Sequence, residues 1–179
     1  MKSLLCFLCF IAFAASSRGQ STIEDKAKAG LHKMFGDSAA ISSSWRRLSG
    51  SEIDSIARLS HSRWQRDSLQ VYVCSAHQKT VGYGFVDDVK GKVQFITYLT
   101  GINTDGKVQD VDILAYRESY GGEVAYESFR RQFRDKSSAD KLIPGKDIKN
   151  ISGATISVRA ITTGVRKILL TYDLLKGTL

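Results

Sequence analysis

The chain has 179 residues, of which 42% are hydrophobic and 25% are charged, and its formal net charge is +8. This composition is typical of a globular protein and excludes an intrinsically disordered one. One proline and 15 glycines exclude collagen-like and proline-rich architectures. The length supports one domain, or one domain with an extension.

The first 20 residues have the features of a secretory signal peptide. Lys2 precedes an unbroken apolar run over residues 4–15, and small residues that suit cleavage follow it. The run is shorter than the roughly 20 apolar residues of a transmembrane helix, so an uncleaved anchor is the less favoured alternative. We therefore predict a signal peptide over residues 1–20 and an exported protein of the periplasm or cell envelope. Loss of Lys2 and Arg18 leaves the mature chain a net charge of +6.

Residues 21–67 are predicted as an N-terminal helical segment. A capping-box pattern from Ser21 to Glu24 begins the first helix, and Gly36 ends it. Residues 37–49 are rich in serine and predict a loop or a short edge strand. A second helix is expected over residues 51–62.

Residues 68–179 are predicted as the main domain. Alternating or continuous β-forming residues predict strands over 69–75, 81–85, 93–100 and 111–115, joined by turns at 76–79, 87–91 and 103–106. Such short links favour antiparallel pairing. Helical spacing of apolar residues follows over 124–133 and 155–175. The sequence thus predicts a single α+β domain, with helices packed on one face and at the edges of a twisted antiparallel sheet.

The cysteines and histidines predict neither a disulfide nor a metal centre. Cys6 and Cys9 leave with the signal peptide, so Cys74 remains alone. Its place in an alternating strand favours a small core residue over a nucleophile. The three histidines are dispersed and lack metal-ligand spacing.

The segment 151–158 has the features of an anion-binding site. Ser152, Gly153, Ala154 and Thr155 are small or hydroxylated, and a long amphipathic helix begins directly after them. Small residues expose backbone N–H groups, and a helix N-terminus favours negative charge. Simple capping of the helix by Ser152 or Thr155 is an equally good interpretation.

A second unusual segment lies between a strand and a helix, over residues 116–123. Gly121 and Gly122 permit positive φ angles and a close approach of backbone to a ligand. Tyr120 could stack on a planar ring, and Glu118 could accept hydrogen bonds from ring N–H groups. The alternative is an ordinary strand-to-helix turn with charges that face solvent.

Taken together, the two segments resemble the FMN-binding domain family, which includes flavin-carrying subunits of sodium-pumping NADH:quinone reductases and Rnf-type complexes. The family signature is S/T-G-A-T with a hydroxyl two positions later. It reads here as residues 152–155 followed by Ser157. The upstream glutamate and glycine turn of the family read as residues 118–122. The resemblance covers roughly residues 68–170.

The resemblance implies FMN as the cofactor and an electron carrier without a catalytic residue of its own. Thr155 would accept FMN through a phosphodiester bond made by a separate exported flavin transferase. The partner would be a membrane redox protein or another electron carrier. The residues expected to contact the cofactor are Glu118, Ser119, Tyr120, Gly121, Gly122, Ser152, Gly153, Ala154, Thr155 and Ser157.

One position departs from the family pattern. An acidic residue commonly stands six positions before the acceptor threonine, and Lys149 stands there in this chain. Lys149 could instead pair with a phosphate and favour non-covalent FMN, so both modes of binding remain open. The substitution also favours the second functional hypothesis, a non-redox binding or sensory module with weak or no FMN.

Two predictions concern the basic surface. The scattered basic residues are not interleaved with aromatic side chains, and they predict no binding of nucleic acid. Arg130, Arg131 and Arg134 are expected on one helix face. That face is either a solvated surface or a docking patch for an acidic redox partner or for peripheral contact with membrane headgroups.

Overall fold

Five antiparallel strands form one sheet, and their order in the sheet follows their order along the chain. The computed structural model describes residues 22–179, so the predicted signal peptide lies outside the described residues. The predicted α+β class is confirmed. The strands are β1 (Ala40–Arg47), β2 (Ser68–Ala76), β3 (Lys79–Lys90), β4 (Phe95–Asn103) and β5 (Val108–Ala115).

Three helices of 13, 11 and 21 residues, together with several short turns of helix, accompany the sheet. No helix within residues 22–179 has the length and hydropathy needed to span a membrane. The helices are α1 (Ile23–Phe35), α2 (Gly50–Ser60), α3 (Glu127–Arg130) and α4 (Thr155–Leu175), with 3₁₀ turns at Gly122–Ala125 and Arg131–Phe133. The predicted continuous helix over 124–133 is therefore wrong. Tyr126 has an extended backbone (φ −71°, ψ 143°) and interrupts it.

Capping boxes set the beginnings of α1 and α2. The predicted box of α1 is displaced by one residue, because Thr22 and Asp25 form it instead of Ser21 and Glu24. The Thr22 hydroxyl accepts from the Asp25 backbone N–H at 3.1 Å, and the Asp25 carboxylate accepts from the Thr22 N–H at 2.9 Å. Ser49 and Glu52 do the same for α2. Such a cap stabilises a helix by about 1 kcal/mol.

The two faces of the sheet carry separate hydrophobic cores. Helices α2 and α4 cover the larger core, and α1 covers the smaller one around Leu31, Tyr72 and Leu99. The helices thus lie on both faces. Glycines let α1 approach β3 and β4 closely: a Cβ at Gly84 would lie 2.6 Å from the Leu31 side chain. Glycine is uncommon within a strand, and this close packing of α1 explains why it occurs there.

A buried ion pair joins α4 to the sheet. Lys167 is fully buried, and its Nζ lies 2.9 Å from Asp87 Oδ2. The Tyr98 hydroxyl donates to the same carboxylate at 2.7 Å, and the Lys167 ammonium lies 4.3 Å from the centroid of the Trp64 ring. The predicted turn at Asp87 is wrong, since β3 continues to Lys90. Burial raises the pKa of Asp87, and Lys167 opposes that shift.

Replacement of Lys167 by methionine should destabilise the protein by about 3 kcal/mol, because it leaves a buried carboxylate without its counter-charge. Lys176→Met is the matched control, since Lys176 pairs with Asp173 at 3.0 Å on the surface. Exposed pairs contribute at most about 1 kcal/mol. Urea unfolding measures both variants. Equal losses in the two would contradict the importance of the buried pair.

Cys74 is fully buried, and burial raises the pKa of its thiol to about 11, in agreement with the predicted core role. In mature protein that lacks residues 1–20, the native thiol should react with iodoacetamide no faster than the protein unfolds, since the thiolate is the nucleophile. Labelling followed by mass spectrometry with increasing urea measures this rate. Fast labelling of the native protein would contradict the assignment.

Candidate functional site

The first turn of α4 lacks a capping side chain. The helix begins at Thr155, and its N-cap is Ala154, which makes no side-chain cap bond. No acidic residue lies in that turn, whereas the first N–H groups of any helix lack intrahelical acceptors. The interpretation of Ser152 or Thr155 as a simple cap is therefore wrong. The N-terminal end of this 21-residue helix offers free N–H donors and the positive end of the helix dipole to an anion.

The loop before α4 leaves space around these donors. Gly153 has φ +81°, and no atom lies within 4 Å of the position that a Cβ would take. Ser152 and Thr155 are exposed, whereas Ala154 is buried and anchors the loop in the core. The Thr155 side chain is thus accessible at the surface while its backbone is held in place.

The segment 116–122 packs against this helix end. The hydroxyl of Tyr116 lies 2.8 Å from the Ser157 hydroxyl, and it also donates to the backbone carbonyl of Tyr120. Because the Tyr116 proton goes to that carbonyl, Ser157 is the donor in the other bond. Gly121 has φ +89°, and a Cβ there would lie 3.4 Å from Ala154 Cα. The structure therefore brings together the two segments that the sequence singled out.

Tyr116 is not among the predicted site residues, although it joins the two segments. The one sequence signal for Tyr116 is that it is an aromatic residue directly after a strand. Many tyrosines of protein cores share that feature. Ser157 is predicted to contact the cofactor, and the structure places it 4% exposed, with its hydroxyl bonded to Tyr116.

Large side chains stand exposed around the site. Tyr120 is 85% exposed, and Tyr126 and Ile156 are also exposed. Ser119 is exposed, and Gly122 is half-buried against the Tyr116 ring. A planar ring that stacked on Tyr120 would cover apolar surface that now faces water.

Glu118 binds the turn between β3 and β4. Its Oε1 accepts from the backbone N–H groups of Val93 at 2.7 Å and Gln94 at 2.9 Å. These hydrogen bonds hold the pKa of the Glu118 carboxyl below its usual range. The structure thus gives this oxygen a partner within the chain, and contact of Glu118 with the flavin ring stays a prediction.

The loop that carries Lys149 is held by other groups. The Lys149 backbone N–H donates to Gln132 Oε1 at 2.8 Å, and Asp147 Oδ2 accepts from the Ile143 N–H at 2.9 Å. The Lys149 side chain is exposed and has no ion-pair partner within residues 22–179. Its ammonium therefore remains available to an anion.

One of the three arginines of the expected basic face, Arg130, is held in an internal network. Arg130 has a side chain 18% exposed, and its Nη1 donates to the Val111 carbonyl at 2.6 Å. Arg134 lies 3.0 Å from Asp110. Arg130 is therefore not a solvated surface charge, because β5 supplies acceptors that the helical pattern alone does not reveal. Arg134 has a side chain 44% exposed and remains at the surface, where it pairs with Asp110. Arg131 is exposed as predicted.

This chain is similar in sequence to subunits of two known protein complexes. One subunit of a proton-translocating ferredoxin:NAD(+) oxidoreductase complex from Clostridium ljungdahlii is 36% identical over 104 residues, which cover 54% of this chain and 56% of the relative. The corresponding subunit of a Na(+)-translocating ferredoxin:NAD(+) oxidoreductase complex from Acetobacterium woodii is 31% identical over 118 residues, covering 59% and 56%. The chain thus spans little more than half the length of each.

A family comparison covers the site itself. Residues 91–170 match the FMN-binding domain family, and this range contains both segments of the site. The match confirms the resemblance drawn from the sequence and indicates FMN as the cofactor. Residues 91–170, which are 80 of the 179 residues, are therefore the part of this chain that is similar to the FMN-binding domain family.

Proposed function

We propose that this chain is an exported electron carrier whose FMN is attached through a phosphodiester to Thr155. The observation that carries the proposal is the position of Thr155. Its side chain is exposed at an uncapped helix N-terminus, directly beside the segment that contains Tyr120 and Gly121. A phosphate and a flat polar ring would both find partners there.

The residues present fit the phosphate end of FMN. The backbone N–H groups at the start of α4 would donate to phosphate oxygens, and the space beside Gly153 admits them without a steric clash. The flexible Lys149 side chain adds a positive charge nearby in sequence. A separate exported flavin transferase would form the bond to the Thr155 hydroxyl.

The exposed aromatic side chains fit the other end of the cofactor. Tyr120 and Tyr126 would stack on the isoalloxazine or cover its edge, and they would keep it close to the protein surface. When bound, the isoalloxazine supplies the redox chemistry, and the chain supplies attachment and orientation. A surface position suits exchange of electrons with another protein.

The relatives support a membrane redox protein as the partner. Both are named as subunits of ferredoxin:NAD(+) oxidoreductase complexes. We propose that this chain passes electrons to or from such a membrane protein, and that it acts after export. The basic character of the chain would speed association with an acidic partner.

Non-covalent FMN is the second candidate, and Lys149 favours it. The lysine stands where the family commonly has an acid, and its ammonium has no ion-pair partner within the described residues. In that case Lys149 would pair with the phosphate instead of leaving the loop to a transferase. The non-redox binding or sensory module is a separate hypothesis, and such a module would bind FMN weakly or not at all.

Thr155→Val should remove the flavin from the mature protein purified from its native host. The wild-type intact mass should exceed that of the polypeptide by one FMN less one water, with in-gel flavin fluorescence. Thr163→Val is the matched control, because Thr163 lies on the same helix and bonds only to the helix backbone. That variant should keep the full increment.

Two other results would contradict covalent attachment. A yellow protein of unmodified mass that loses colour on dialysis would support non-covalent FMN, and Lys149→Gln should then weaken its affinity for FMN. A colourless protein of unmodified mass would contradict the electron-carrier proposal.

Gly121→Ala should lower the flavin content, because a Cβ at this position would lie 2.8 Å from both the Ser157 and Tyr116 hydroxyls and push the turn away from α4. Gly36→Ala is the control. Gly36 also has a positive φ, of +100°, but no atom lies within 4 Å of its Cβ position. Both variants carry backbone strain, which is about 1–2 kcal/mol at the left-handed Gly121 and is larger at Gly36, whose ψ of 145° lies in a region that is nearly confined to glycine.

Thermal unfolding measures the loss of stability in each variant, and the flavin absorbance per protein measures its flavin content. A reduced flavin content in Gly121→Ala alone, in protein that remains folded, would support the role of the turn. Full flavin content in both variants would contradict it.

A further inference from the structure

Basic side chains are concentrated on the loop before α4 and on the first half of that helix. Residues 141–166 contain one acidic residue, Asp147, and five basic ones: Lys141, Lys146, Lys149, Arg159 and Arg166. The same range contains Thr155. We call the loop 141–150 and the exposed side of α4 from Thr155 to Arg166 the α4 basic surface.

The loop runs back along α4 towards the beginning of the helix. It passes the middle of the helix at Lys141, whose backbone carbonyl accepts from Arg166 Nη1 at 2.6 Å. The chain then returns to Ala154, directly before the first residue of α4. Leu142 and Ile148 of the loop are buried in the same core as the helix. The loop and the exposed side of α4 therefore lie next to each other.

The charged groups of this surface extend away from Thr155. Arg159 lies four residues after Thr155, and Arg166 lies seven residues after Arg159, so the helical repeat places all three on one side of α4. Lys141, Lys146 and Arg159 are exposed, and Arg166 is half-buried. From Thr155 to Arg166 the helix rises about 16 Å. The surface thus begins at the predicted attachment point of FMN.

The positive charges of this surface have no acidic partner within ion-pair distance among residues 22–179. Asp147 Oδ2 accepts from the Ile143 N–H at 2.9 Å and so holds the turn of the loop. Asp140, which precedes the surface, pairs with Lys136 at 3.6 Å. The surface therefore keeps an uncompensated positive charge that an anionic partner could neutralise.

We propose that the α4 basic surface docks an acidic protein that exchanges electrons with the FMN. The inference rests on the proposed function and adds to it the docking surface of the partner. Complementary charge would speed association and orient the partner beside Thr155. An anionic membrane fits less well, because membrane-binding surfaces combine basic residues with several exposed apolar ones. Among residues 141–166, Ile156 alone is an exposed large apolar side chain, at 51%.

Lysine acetylation in the presence of poly-L-glutamate maps the surface on the mature protein purified from its native host. This polymer is the probe because it carries the negative charge of an acidic protein. At a concentration about tenfold above its Kd, the acetylation of Lys141 and Lys146 by N-hydroxysuccinimide acetate should slow about tenfold. Lys33, Lys79 and Lys107 are exposed on other elements and should react at an unchanged rate. Mass spectrometry of tryptic peptides measures each rate.

A triple variant tests the same surface by affinity. Lys141→Gln, Lys146→Gln and Arg159→Gln together should weaken binding of poly-L-glutamate at least about tenfold in calorimetric titration, because three exposed ion contacts are lost. The matched control should bind within about twofold of the wild type, since it removes the same charge from exposed lysines elsewhere: Lys33→Gln, Lys79→Gln and Lys107→Gln. Thermal unfolding checks that both variants are folded.

Three results would overturn the proposal. They are equal protection of all five lysines, equal losses of affinity in the two triple variants, and the absence of saturable binding in low-salt buffer. Binding of phosphatidylglycerol vesicles that depends on the same three residues, without binding of poly-L-glutamate, would also overturn it and assign the surface to a membrane.

The flavin absorbance of the same samples separates this inference from the proposed function. A colourless protein that binds poly-L-glutamate at this surface would contradict the electron-carrier proposal alone. A flavin-containing protein that does not bind it would contradict the docking surface alone.

Discussion

The packing of α4 against the sheet fixes the place of Thr155, and the rest of the site depends on it. The helix is buried along most of its 21 residues. Gly164 permits the close contact, since a Cβ there would lie 2.6 Å from the Tyr98 hydroxyl. That same hydroxyl binds Asp87, which holds Lys167 of the helix. A helix anchored in this way presents its N-terminus at one fixed position beside the segment that leaves β5.

The missing cap of α4 has a cost in the folded chain. A helix without a capping side chain is less stable by about 1 kcal/mol, whereas α1 and α2 both begin with complete capping boxes. Since the same chain caps two of its other helices, the missing cap of α4 is a local feature of this helix. Ser152 lies in the loop directly before α4 and still does not cap it. A phosphate bound at this helix end would offset the cost by accepting from the same N–H groups.

Much of the fold and the identity of the two site segments could be predicted from the sequence. Alternation along β2 and β5 and the short turns predict an antiparallel sheet, because those features act over a few residues. The break at Tyr126 and the extent of β3 through Asp87 could not be predicted in this way. The extent of β3 depends on a distant partner, because Asp87 is stabilised within the sheet by Lys167, which is 80 positions further along the chain.

The same limit applies within the site. The small residues of 152–155 and the glycines of 121–122 indicate where a ligand could approach. No local pattern shows that Tyr116 binds Ser157 or that Glu118 binds the backbone N–H groups of the turn between β3 and β4. The sequence pattern places Arg130 on a charged helix face, whereas in the structure it donates to the Val111 carbonyl of β5. Contacts that join distant segments thus account for most of what sequence reasoning misses.

Peptide mapping of the native protein tests the central claim most directly. Trypsin cuts after Lys149 and Arg159, so one peptide contains Thr155 together with the hydroxyls of Ser152 and Ser157. Fragmentation of this peptide by tandem mass spectrometry distinguishes the three. We expect an increment of one FMN less one water on fragments that contain Thr155, with Ser152 and Ser157 unmodified. A flavin on another residue, or an unmodified peptide from a protein that carries covalent flavin, would contradict it.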